Sequence, residues 1–200
     1  MTMGKMWNHF KTITYHKYLV AQGCFRVGLI RQGILHDMSK YSPTEFLVGA
    51  KYFQGTRSPN NAEREDIGYS NSWMHHKGRN KHHYEYWIDY SNDPALRGKM
   101  VPVEMPDRYV AEMIMDRIAA SKVYKGEAYD DSCPLQYFDN GTRHELIHPK
   151  TCEKLEYYLR MLAEKGERET FAEVKKNLVK KETADGQQTA GLSYLIKKRR

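Results

Sequence analysis

The chain is poor in cysteine and has no long apolar run. Its three cysteines, Cys24, Cys133 and Cys152, are odd in number and none stands in a CxxC spacing. That argues against a disulfide framework and against a thiolate metal site, and it points to reduced thiols in a cytoplasmic protein. No apolar stretch approaches the ~20 residues needed to cross a bilayer, and mean hydropathy is -0.79. Met1 to Phe10 lacks the apolar segment of a signal peptide and reads as the start of an amphipathic helix. No run alternates polar and apolar residues between hairpin turns, so a sheet protein is not expected. No internal repeat is present.

What is there supports a packed core. Of 200 residues, 40% are hydrophobic and 15 are tyrosine, enough for one domain over residues 1–180 with a basic, linker-like tail over 181–200. Net charge is +7. Such a balance favours anionic partners: phosphorylated small molecules, nucleotides or nucleic acid. Lys197, Lys198, Arg199 and Arg200 supply four of those charges from the tail, so support for nucleic-acid binding by the domain is weak.

The periodicity is helical throughout, which makes the expected fold class all-α. Ile13, His16, Val20, Gly23 and Val27 fall on one stripe of a first helix from Met3 to about Gly28. A second helical stretch, Leu29 to Asp37, ends at the pair His36-Asp37. Ser42-Pro43-Thr44-Glu45 has the form of a capped helix start, with that helix running to about Gln54. Residues 57–61 read as a loop, and a helix from about Ala62 reaches His75 and His76. Gly78 and Asn80 suggest a break, after which another helical turn or two begins at His82. Residues 91–106 read as irregular. Asp107 to Lys125 is the clearest helix, and it places Asp116 on an otherwise apolar stripe with Met113, Ala120 and Val123. Residues 132–148 read as loop. Pro149 opens a helix stopped at Gly166, and another amphipathic segment carries Phe171, Val174 and Leu178.

Chemistry concentrates at two places. Adjacent His36 and Asp37, followed at one helical turn by Lys40, offer imidazole nitrogen and carboxylate oxygen side by side. The cluster from Trp73 to Trp87 contains His75, His76, His82 and His83. Neutral imidazoles and carboxylates suit borderline and hard divalent cations: Fe, Mn, Ni, Co, Zn or Mg. A carboxylate such as Asp37 can bridge two ions while His36 holds one. In two-metal hydrolysis, ions ~3.5–4 Å apart activate water and neutralise phosphate oxygens, which takes five or six protein ligands. Each piece has a plainer reading. His16 could be a hydrogen-bonded core histidine, and His36-Asp37 could be a helix end with a favourable charge. Asp116 could pair with Arg79 or Arg117, since a buried carboxylate needs some partner. Of the clustered histidines, seven-residue spacing in a continuous helix pairs His76 with His83 and His75 with His82. His76 and His83 are taken as ligands, with His82 supporting them or facing substrate. Arg79 and Lys40 could grip phosphate, and Asn80 could contact substrate or cap the next turn. Glu112, one turn before Asp116, is taken as exposed or as supporting a ligand.

In that order, His16, His36-Asp37, the later histidines and Asp116 resemble the HD superfamily of metal-dependent phosphohydrolases. The family pattern is a lone His on a first helix, a His-Asp pair ending the second, optional extra histidines, and an Asp on a later helix. Asp116-Arg117-Ile118-Ala119-Ala120 is similar to the stretch carrying that last Asp, and Lys40 matches a His-Asp-x-x-Lys form. The resemblance covers about Phe10 to Lys125. The tandem histidines and the run from Asn80 to Trp87 look more like an uncharacterised bacterial and phage branch, a domain of unknown function without an assigned substrate. The resemblance implies an HD-like helical bundle with one or two metal ions between helices. It implies His16, His36, Asp37, His76, His83 and Asp116 as ligands, Asp37, Lys40 and Arg79 in catalysis, and Lys40, Arg79, Asn80 and His82 toward substrate. The expected reaction is hydrolysis of a phosphomonoester or phosphodiester, with a nucleotide as leading substrate. Two other readings stay open: an HD-type di-iron oxygenase, and a non-catalytic module that binds nucleotide or RNA around a structural metal.

Overall fold

A computed structural model describes residues 2–141 and 144–180. The expected tail, 181–200, lies outside the described residues. The fold is all-α, as the periodicity predicts. Among the described residues there are eight α-helices, a few single turns of 3-10 helix and one two-stranded ribbon.

The first helix, α1, spans Met3–Val27. Thr2 caps it by accepting from the Lys5 N–H, and Gly28 ends it in the left-handed conformation. Its stripe of Ile13, His16, Val20, Gly23 and Val27 is buried in full. The next helix, α2, is shorter than expected, Ile30–Leu35, and stops one residue before His36. Asp37 then takes φ 53° and ψ 26°. It is the one non-glycine with positive φ among the described residues, a conformation that Asp tolerates better than most residues but that still costs free energy.

Ser42 does precede α3, Pro43–Tyr52, but its side chain makes no cap bond. Glu45 is turned inward instead of back toward the helix start. The expected loop at 57–61 is partly helix: α4 begins at Pro59 and runs to Ile67. Gly68 ends it, so the histidine pair sits on a separate helix, α5, Asn71–Lys77. The turn or two of helix expected from His82 is a single 3-10 turn at Tyr84–Tyr86. It leads into β1, Ile88–Tyr90, which pairs antiparallel with β2, Met100–Pro102, in the register Ile88 to Pro102, Asp89 to Val101 and Tyr90 to Met100. The stretch read as irregular thus closes into a ribbon.

The helix α6 occupies Asp107–Lys125, as the pattern predicts. The region read as loop contains α7, Cys133–Asp139. The helix opened by Pro149, α8, reaches Val174 and continues as a π-helical turn, Lys175–Lys180. Gly166 interrupts it at the expected place, and a second helical stretch follows directly. With φ 76° and ψ 175° this residue kinks α8, a geometry only glycine adopts without strain.

The core lies between α1, α6 and α8. Val20, Cys24, Val27, Val110, Ile114, Leu155, Leu159, Leu162 and Val174 are all removed from solvent. Each large aliphatic side chain there contributes about 1.5–3 kcal/mol by leaving water. Smaller helices α3, α4 and α5 pack together, and α3 also packs on α1. There His9 lies beneath the rings of Phe46 and Phe53, in a seat that exists because Gly49 has no Cβ: one would fall 2.3 Å from His9 Nε2. The arrangement brings α1, the α2 end, α5 and α6 to one buried point. No helix among the described residues is long and apolar enough to cross a membrane.

Candidate metal centre

The centre is organised around Asp37, whose 2% exposure leaves its carboxylate out of water. The end of α2 and the left-handed turn at Asp37 aim its two oxygens in different directions. Oδ2 lies 3.3 Å from His36 Nε2 and 3.6 Å from His16 Nε2. Oδ1 lies 3.3 Å from His76 Nε2 and 3.3 Å from His82 Nε2. Asp116 completes the first side, with Oδ1 at 3.0 Å from His16 Nε2 and 3.5 Å from His36 Nε2. His83 completes the second, its Nε2 at 2.9 Å from that of His76.

Two sets of four donors result: His16, His36, Asp37 and Asp116, and Asp37, His76, His82 and His83. Within each, one donor atom per residue lies within 4.8 Å of all the others. The break after Lys77 is what makes the second set. It lets His76 at the end of α5 and both His82 and His83 in the following turn converge, which one straight helix would not allow. Trp73 walls this side, its ring 5.6 Å from His76 and 4.8 Å from His83.

The buried polar atoms test whether a cation fits. His16 Nε2, His36 Nε2, His82 Nε2 and Asp37 Oδ1 have no hydrogen-bond partner, and Asp37 Oδ2 faces Lys40 Nζ at 2.6 Å. An unsatisfied buried polar atom costs about 1–3 kcal/mol, and here four such atoms point toward one another. Acceptors facing acceptors are what a divalent cation satisfies. The residues are therefore able to hold a metal ion, and Asp37 belongs to both sets.

The far ring nitrogens are anchored by carboxylates. Glu112 Oε1 accepts from His36 Nδ1 at 2.9 Å and lies 3.2 Å from His82 Nδ1, while Gln32 donates to Oε2 at 3.0 Å. Glu45 accepts from His75 Nδ1 at 2.6 Å and from His76 Nδ1 at 2.7 Å. A carboxylate on Nδ1 keeps the proton there and leaves the Nε2 lone pair for a metal. Here lies the reason Glu45 does not cap α3. Its role carries no signal in the sequence, where it looks like an ordinary helix start. Glu112 was visible only as a carboxylate one turn from Asp116.

Burial alone would lower the His36 and His76 imidazoles, but the carboxylates facing them, Asp37 above all, raise both, His36 well above the ordinary range. Burial alone would raise the Asp37 carboxyl, but His36, Lys40 and His76 around it hold it well below the ordinary carboxylate range. Burial also opposes ionisation of Glu112, yet its bonds to His36 and His82 bring it down to about 2. His83 is pushed well below the ordinary imidazole range by burial and by His82 and His76, so it stands neutral, the form that ligates.

The other expected site residues are placed as follows. Lys40 Nζ lies 2.6 Å from Asp37 Oδ2 with its side chain 30% exposed, so it sits at the open edge of the centre. Asp116, 15% exposed, shares that edge. His82 stands among the donors, not behind them or toward solvent. Asn80 is buried and donates to Ser39 Oγ and to the His76 carbonyl, both at 2.8 Å, so it fixes the turn between the histidines. Arg79 is exposed and donates to the His75 carbonyl at 3.1 Å, touching none of the donors.

Residues 5–161 match the model of a protein family described as a family of unknown function (DUF5662), so the chain belongs to that family. No curated protein and no solved structure matches it.

Proposed function

We propose that this member of the DUF5662 family is an HD-type metal-dependent phosphohydrolase. Its substrate would be a phosphomonoester or phosphodiester, a nucleotide foremost. The observation that carries the reading is the carboxylate of Asp37, shared between two sets of buried donors. The order His16, His36-Asp37, Asp116 along the chain supports the HD assignment. A divalent metal bound there supplies Lewis acidity toward water and phosphate oxygens.

The chain's own residues then have separable tasks. His16, His36 and Asp116 hold one position, and His76, His82 and His83 the other, with Asp37 common to both. Asp37 orients the attacking water. Lys40, at the exposed edge and held in its charged form by Asp37 and Asp116 against the effect of burial, receives a phosphate oxygen. Trp73 and its neighbours keep bulk water from the histidine side.

The test begins with metal analysis of protein purified without added metal, followed by a phosphate-release screen over nucleotides. Phosphate release by the wild type, with loss of both metal and turnover in Asp37→Ala, is the expected result. Full activity of Asp37→Ala would overturn the mechanism. Iron-dependent oxygen uptake with no phosphate release would replace it with the di-iron reading.

A further inference from the structure

Two carboxylates stand behind the histidines, and they are wired differently. Glu112 is on α6, and one of its oxygens, Oε1, faces His36 Nδ1 at 2.9 Å and His82 Nδ1 at 3.2 Å. Those two histidines belong to different sets of four donors and also form a group of three with Glu112 itself, with ring centroids only 4.3 Å apart. The Nε2 atoms of both are buried without partners, so the bonds at Nδ1 decide how each ring presents its lone pair. The other oxygen, Oε2, is held by Gln32. Glu45 spends its oxygens on His75 and His76, and of these only His76 belongs to a donor set.

We infer that Glu112 is a positioning residue that ties the two metal positions into one unit, whereas Glu45 serves one position alone. Anything that turns His36 away from its position must move the oxygen that also orients His82. Filling one position therefore prepares the other. Asp37 gives a direct bridge on the open side of the rings, and Glu112 gives a second bridge behind them. The inference rests on the metal-centre reading of the site.

The probe is Mn²⁺ alone, titrated calorimetrically into chelator-treated full-length protein, with circular dichroism melts of each metal-free variant. In Glu112→Gln both affinities should fall together, each by about 10–100-fold, the usual effect of losing a partner behind a ligand. In Glu45→Gln only one affinity should fall. Gln32→Ala, which frees Oε2 and leaves the Glu112 carboxylate in place, should lower both affinities by smaller and similar factors. It decides the matter if Glu112→Gln does not fold. A purely structural Glu112 would lower the melting temperature and leave both affinities unchanged, which overturns the inference. So does a fall confined to one ion in Glu112→Gln or Gln32→Ala. A wild-type chain that takes up a single ion also overturns the coupling but leaves the metal reading standing. A wild-type chain that binds no Mn²⁺, nor any other divalent ion, overturns both.

Discussion

Asp37→Asn is the sharpest perturbation of this molecule. The change keeps the shape of the side chain and removes its charge from between two donor sets. In the wild type each bound ion stabilises the folded chain by mass action, because the unfolded chain cannot assemble donors drawn from four segments. At a free metal concentration 100 times the dissociation constant, one ion adds about 2.7 kcal/mol and two add about 5 kcal/mol. For a chain of this size, 1 kcal/mol moves the melting temperature by roughly 2–4 °C, so full loading should raise it by about 10–20 °C. Asp37→Asn removes the ligand common to both positions, and its metal-dependent rise should be close to zero. The assay is a melt of chelator-treated protein with and without added Mn, Fe, Co, Ni, Zn or Mg. The shift is read within each variant, so any difference in metal-free stability cancels. A wild type whose melt ignores every one of these ions would refute the reasoning. So would an Asp37→Asn variant that keeps the full rise.

Two further outcomes follow from packing. Burial, with Lys40 adding to it, lowers the His9 imidazole to about 4. The unfolded chain takes up a proton near pH 6.5 while the folded one resists until about pH 4, so stability falls as pH drops through that window, by about 3 kcal/mol in all. Above pH 6.5 His9 adds no slope. Urea melts of chelated protein between pH 4 and 7 should show a shallower slope in His9→Leu, and equal slopes would contradict the assignment. Leu159→Ala deletes a side chain with no exposed surface at the centre of α8, and should cost about 2–5 kcal/mol without altering metal stoichiometry. A loss below about 1 kcal/mol in chemical denaturation would mean that α8 is not packed as described.

Which parts could be read from the sequence follows from the range of the forces involved. The stripe bearing His16 and the long helix bearing Asp116 were legible because helical periodicity is written in neighbouring residues. His36 and Asp37 were legible because their adjacency and the spacing to Lys40 are local. The choice among His75, His76, His82 and His83 was less so. It rested on a continuous helix, whereas the chain turns after Lys77 and swings His82 in beside His76. Glu45 was hidden for a different reason: its local signature is that of a helix start, and its partners are 30 and 31 positions away. The ribbon of β1 and β2 is too short for a period to show. Gly166 was legible as a helix end, and its non-helical backbone does break α8, with packing of Phe171 and Val174 into the core starting a second helical stretch directly after it.

The distance along the chain between the donors has a consequence for how the molecule is made. Glu112 and His36 are 76 positions apart, and a nascent chain grows at about 5–20 residues per second. For several seconds of synthesis His16, His36 and Asp37 exist without Asp116 or the carboxylate that orients them. A cation met in that interval finds at most a loose, partial set with no selectivity of its own. Any selectivity among metal ions would thus belong to the finished bundle, after α6 has docked on α1.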